Sequence, residues 1–80
     1  MAVLLIGAET ATGMRCILNR VPADLANARR RAERAAHLLG VHADPWLWAG
    51  GRVVVVDAES RKLLAVVRVR TKLARKGVVS

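Results

Sequence analysis

Apolar positions in this chain form runs of short period near its two ends and one helical stripe between them. The strongest strand signal lies in 52–70. Arg52-Val53-Val54-Val55-Val56-Asp57 and Lys62-Leu63-Leu64-Ala65-Val66-Val67-Arg68-Val69-Arg70 are β-branched runs separated by the polar segment Ala58-Glu59-Ser60-Arg61, which predicts a β-hairpin. At the other end, Ala2 to Ala8 is a short apolar run and Glu9-Thr10-Ala11-Thr12-Gly13 has the polar, Gly-ended look of a loop. Beyond it Met14, Cys16 and Leu18 alternate with Arg15, Ile17 and Asn19. This predicts an N-terminal hairpin over 2–21, with a single buried strand followed by irregular chain as the alternative.

Between the hairpins, Pro22 suits the first helical position and Asp24 the first turn, where the helix dipole favours an anion. Leu25, Ala28, Ala32, Ala35, Ala36 and Leu39 then recur at spacings of three and four, which predicts an amphipathic helix over 22–39 ending near Gly40. A stripe made mostly of alanine lets such a helix approach a sheet closely. Asn27, Arg30, Glu33, Arg34 and His37 face away from it. The Asp44-Pro45 step signals a turn, and Trp46-Leu47-Trp48 reads as extended, with both indoles on one face, ahead of Gly50-Gly51.

The expectation is an α+β fold: a small antiparallel sheet in ββαββ order, with an extra strand at 46–48 as an option and one helix packed on one face. A single domain over 1–80 is expected, comprising the hairpin 2–21, the helix 22–39, the hairpin 52–73 and a basic tail 74–80. Strand order is left open by the pattern. If Asp57 lies opposite Lys62, Val54 and Val56 share a face with Leu63, Ala65 and Val67, while Val53, Val55, Leu64 and Val66 share the other. An odd-length turn swaps these partners. Either way, simple alternation puts Leu63, Ala65, Val67 and Val69 on one side of the second strand and Arg68, Arg70 and Lys72 on the other.

Composition changes this picture in three respects. With 80 residues, a core covering only about 60% of the unfolded chain's surface is expected. The chain contains no Phe and no Tyr, so Trp46 and Trp48 are its only large aromatics and are candidates both for the core and for contact with a partner. Fourteen Lys and Arg against six Asp and Glu give a net charge of +8, which directs attention to polyanionic partners. No acidic residue follows Glu59, whereas Arg61, Lys62, Arg68, Arg70, Lys72, Arg75 and Lys76 do. The single cysteine, Cys16, has no intrachain partner, which makes a reducing, cytoplasmic location the expectation. No apolar run approaches the roughly 20 residues of a membrane span, and no basic residue precedes the first apolar run as in a signal peptide.

The sharpest candidate chemistry is the ladder Arg68, Arg70 and Lys72, continued by Arg75 and Lys76. Alternate strand residues are about 7 Å apart, close to the roughly 6–7 Å between phosphates of one nucleic-acid strand. The same ladder also describes an edge strand kept from aggregating by charge. Arg30 and Arg34 extend the patch if the helix lies near that strand. Val53, Val55, Leu64 and Val66, with the two tryptophans, are the candidate protein interface. Cys16, His37 and His42 lack the paired spacing of a zinc site, and with Asp44 they form no nucleophilic triad. Gly7, Gly13, Gly40, Gly50, Gly51 and Gly77 form no phosphate-cradling loop, so neither a cofactor nor enzymatic activity is expected.

A helix followed by strands, with arginines closing the last one in Leu64-Ala65-Val66-Val67-Arg68-Val69-Arg70, resembles the small endoribonuclease toxins of the RelE and ParE type. The resemblance covers the C-terminal hairpin alone and includes no specific motif. The N-terminal hairpin and single helix depart from that family's helical hairpin. The leading expectation is therefore a non-enzymatic DNA- or RNA-binding module that contacts phosphates through a cationic strand and tail. The alternative is a protein-interaction factor or homo-oligomer: an inhibitor, accessory subunit or assembly component of the kind phages and mobile elements encode.

Overall fold

The structure is a computed structural model that describes residues 3–71. Its elements are β1 (Val3–Glu9), β2 (Arg15–Pro22), α1 (Leu25–His42), the short helix α2 (Pro45–Trp48), β3 (Arg52–Asp57) and β4 (Leu63–Arg68). The strands form one sheet in the order β2-β1-β3-β4, antiparallel at every step. The fold is α+β, with α1 packed on one face of that sheet.

Alternation sends Leu4, Ile6 and Ala8 of β1 and Val53 and Val55 of β3 to the helix side, where they meet Ala28, Ala32 and Ala36 of α1. Small residues on the helix let the backbones come close. The approach is tightest at Gly40, where a Cβ would overlap the Arg70 carbonyl oxygen. Ile6, Val53 and Val55 are the largest fully buried side chains. Trp48 packs at the margin of this aliphatic core and does not form its centre.

Several sequence expectations change at the element ends. Pro22 closes β2, paired with Val3, and does not open the helix. Asp24 is the N-cap: its Oδ1 accepts a hydrogen bond from the Asn27 N–H at 3.2 Å, satisfying one of the first turn's free donors. The helix continues through Gly40 to His42, because that glycine serves close packing and not termination. The buried stripe accordingly runs through Ala28, Ala32, Ala36 and Gly40, and Leu25 is exposed. Residues 46–48 form helical α2 in place of the optional strand. Asp44 Oδ1 accepts from the Trp46 N–H at 2.9 Å and Pro45 takes the first helical position, so the capping outweighs a period-two pattern only three residues long.

Two β-bulges set which residues share a face. The Asp57 N–H donates to the Lys62 carbonyl at 3.0 Å and Val56 pairs with Leu63, but Val55 pairs with Ala65, leaving Leu64 as the extra residue. Val54 then pairs with Val66, and Val53 with Val67. The predicted face of Leu63, Ala65 and Val67 is thus broken: Ala65 and Val67 pack against the core, while Leu63 lies on the opposite face. In the N-terminal hairpin, Ile6 pairs with Asn19 and Gly7 with Ile17, so Leu18 is extra and the Met14, Cys16, Leu18 alternation is interrupted.

Candidate functional site

No described element covers the sheet face opposite α1, and the strand registers arrange its residues in three rows. The first runs Arg15, Glu9, Arg52, Arg68 across β2, β1, β3 and β4. The second runs Ile17, Gly7, Val54, Val66, and the third Arg20, Leu5, Val56, Leu63. Adjacent rows are about 7 Å apart and adjacent strands about 4.8 Å, so the grid is roughly 14 Å square.

The first row is held by Glu9, whose side chain is 16% exposed. Its Oε2 accepts from Arg15 Nε at 2.9 Å and its Oε1 from Arg52 Nη2 at 3.1 Å. One carboxylate thus fixes two guanidiniums on either side of it. Arg68, next to Arg52 in the same row, takes no part in the described ion pairs. The row as a whole carries a formal +2.

The second row is apolar and has a gap. Ile17, at 62% exposure, and Val66, at 42%, stand at its ends, and Gly7 leaves the floor low between Ile17 and Val54. A Cβ at Gly7 would lie 3.3 Å from the Cys16 carbonyl oxygen and 3.7 Å from Val54 Cγ2, so the absence of a side chain there keeps the depression open. The resulting concavity, about 450 Å³, also reaches Leu5, Val56 and Leu63 and is rimmed by Arg15, Arg52 and Arg61. Arg61 sits in the β3–β4 turn at φ 63°, in the left-handed region. That turn is fixed by Asp57, whose Oδ1 accepts from the Glu59 N–H at 2.9 Å and the Ser60 N–H at 3.3 Å.

The predicted cationic patch is divided between layers. Arg68 lies on the open sheet face, Arg70 is exposed two residues beyond it, and Lys72, Arg75 and Lys76, with the tail 74–80, fall outside the described residues. Arg30 and Arg34 are exposed on α1, the layer on the opposite side of the sheet, alongside Arg29, which pairs with Glu33 at 3.8 Å. Arg68 and the α1 arginines therefore lie on opposite layers, while the Arg70 backbone passes against Gly40 near the C-terminal end of α1.

The predicted apolar interface needs a parallel correction. Val53 and Val55 are 0% exposed beneath α1, and Leu64 packs on the core through its bulge, so these three belong to the interior. Val66 does reach the open face, where Val54, Val56, Leu63 and Ile17 join it. Trp46 is 78% exposed on α2, while Trp48 is packed inward. Nothing in the sequence pattern marks Arg15, Arg20, Arg52 and Glu9 as a group, because what unites them is cross-strand registration. Glu9–Arg15 and Arg52–Arg68 each lie within one predicted hairpin, but the Glu9–Arg52 pair that joins them crosses between hairpins whose strand order the pattern leaves open.

Among the described residues, no group of three His, Cys, Asp or Glu side chains converges as a metal site, and no helix is long and apolar enough to cross a membrane. No protein-family model, curated protein or solved structure matches the chain.

Proposed function

We propose that this protein is a small, non-enzymatic nucleic-acid-binding module that engages phosphates through the open face of its sheet. The observation that carries the reading is the cross-strand row of Arg15, Arg52 and Arg68, balanced by the single carboxylate of Glu9. Arginine forks match phosphate oxygens in geometry and stay charged at any physiological pH. Glu9 takes up one unit of charge and in return holds Arg15 and Arg52 in a set orientation, which lowers the entropy lost when an anion arrives. The net charge of +8 draws polyanions toward the surface from a distance.

The test is a fluorescence-anisotropy titration with labelled DNA and RNA, each single-stranded and duplex, from low to physiological salt. Association that weakens linearly in log affinity against log salt is expected, as phosphate contacts release counterions. Arg68→Glu is expected to weaken binding to every nucleic acid tried. Absence of association at low salt overturns the reading.

A second reading rests on a separate observation: Ile17, Leu63 and Val66 are 62%, 50% and 42% exposed on the same face. Such a surface suits a protein partner, as in an inhibitor or accessory subunit. Purified, nuclease-treated protein that runs in light scattering as a stable complex with another protein would favour it over the first.

A further inference from the structure

The open face pairs its cationic row with an apolar one, and a phosphate-binding surface alone has no use for the second. A duplex presents phosphates and sugars outward and would leave Ile17, Val54 and Val66 facing water. A second copy of this chain set face to face would bring the row of Arg15, Arg52 and Arg68, net +2 with Glu9 included, against its equivalent or against Arg20 and Arg61, so that like charges face each other. A single nucleic-acid strand satisfies both rows together, since its bases are apolar on their faces and its phosphates are displaced from them to one side.

Resting on the nucleic-acid reading above, we infer that the open face takes a single strand laid across the four β-strands. Its phosphates sit over the row of Arg15, Arg52 and Arg68, and its bases lie on the row of Ile17, Gly7, Val54 and Val66. Dimensions agree with this placement. The four strands span roughly 14 Å, which at about 6–7 Å per nucleotide accommodates two or three nucleotides. The rows stand about 7 Å apart, comparable to the distance from backbone to base. Gly7 is the point where a planar base can come closest to the sheet, between the side chains of Ile17 and Val54. With aliphatic side chains and no ring on the floor, base contacts discriminate little, and recognition is tolerant of sequence. Arg61 and Arg20 border the far side of the apolar rows, where they can stack on or hydrogen-bond to base edges.

The experiment is two-dimensional NMR of the labelled full chain titrated with dT8, U8, a 12-base-pair duplex and an acidic amphipathic helical peptide, paired with anisotropy of the same ligands. Expected are shifts from dT8 or U8 at Gly7, Ile17, Val54 and Val66, and affinity for the single strand above that for the duplex. Ile17→Asn and Val66→Asn change exposed side chains without adding charge and are expected to weaken single-strand binding severalfold, while barely altering duplex binding. Gly7→Val, which fills the depression, is expected to act in the same direction, with circular dichroism to confirm that the fold is kept. Preference between dT8 and U8 distinguishes DNA from RNA. Shifts confined to the α1 arginines overturn this inference and leave nucleic-acid binding intact. No response to any oligonucleotide overturns both, as does a response of the face to the acidic peptide alone.

Discussion

Glu9 is the residue on which the open face turns, because one carboxylate organises two arginines from two different strands. Glu9→Gln keeps the shape and removes the charge. Both partners are substantially solvent-exposed, so the expected loss of stability is at most about 1 kcal/mol, read from urea unfolding. Anisotropy is expected to report tighter nucleic-acid binding, since two guanidiniums are released to phosphate. A fall in affinity would instead mean that Glu9's hold on the arginines matters more than its charge. Gly40 makes a different kind of demand. Gly40→Ala forces α1 away from the Arg70 backbone and is expected to cost about 1–3 kcal/mol, more than helix propensity returns, as measured by the same denaturation. The sequence alone does not reveal the role of Gly40, for a physical reason: a glycine near a helix's end is as suited to ending it as to packing closely, and only the neighbouring backbone decides.

Elements were legible where pattern and local chemistry agreed. Both hairpins, the alanine-striped helix and the one-sided layering follow from periodicity, and Val53-Val54-Val55-Val56 marks a strand under any reading. What could not be read locally were the bulges at Leu18 and Leu64, each of which moves a run of side chains to the other face without leaving a turn residue behind. For this reason an unbulged register puts the buried valines Val53 and Val55 on a surface. The N-cap is a second instance: the sequence pattern puts Asp24 inside the first turn, whereas Pro22 ends a strand and leaves Asp24 to cap. Asp24→Ala is expected to destabilise the protein by about 1 kcal/mol, measured by thermal or urea unfolding, with Asp24→Asn retaining most of the stability.

For the molecule as a whole, cations lie on both of its layers, and the two groups answer to different tests. If the open face is the binding surface, log affinity for a single strand should fall with log salt at a slope of about −2, as three phosphates would give. Arg30→Glu with Arg34→Glu should lower the on-rate through the overall field while leaving that slope nearly unchanged. A slope that drops by more than one unit in this variant would assign the contacts to the helix.

The strand order also carries a kinetic consequence. β1 and β3 are the two central strands and pair directly, Leu4 with Asp57 through Glu9 with Arg52, although more than forty residues separate them in the chain. The sheet cannot close by zipping two local hairpins, because neither contains this seam. Closing so long a loop pays its entropy before the pairing repays it, so folding is expected to be slow for a chain of this size, on the order of milliseconds to seconds. The transition state should contain the β1–β3 seam. Ile6→Val and Val55→Ala, one on each side of it, should slow refolding in stopped-flow measurements, whereas a change at Leu63 in the peripheral hairpin should act mainly on unfolding. During synthesis, the first hairpin must wait with one long side of its sheet unpaired until β3 has emerged from the ribosome.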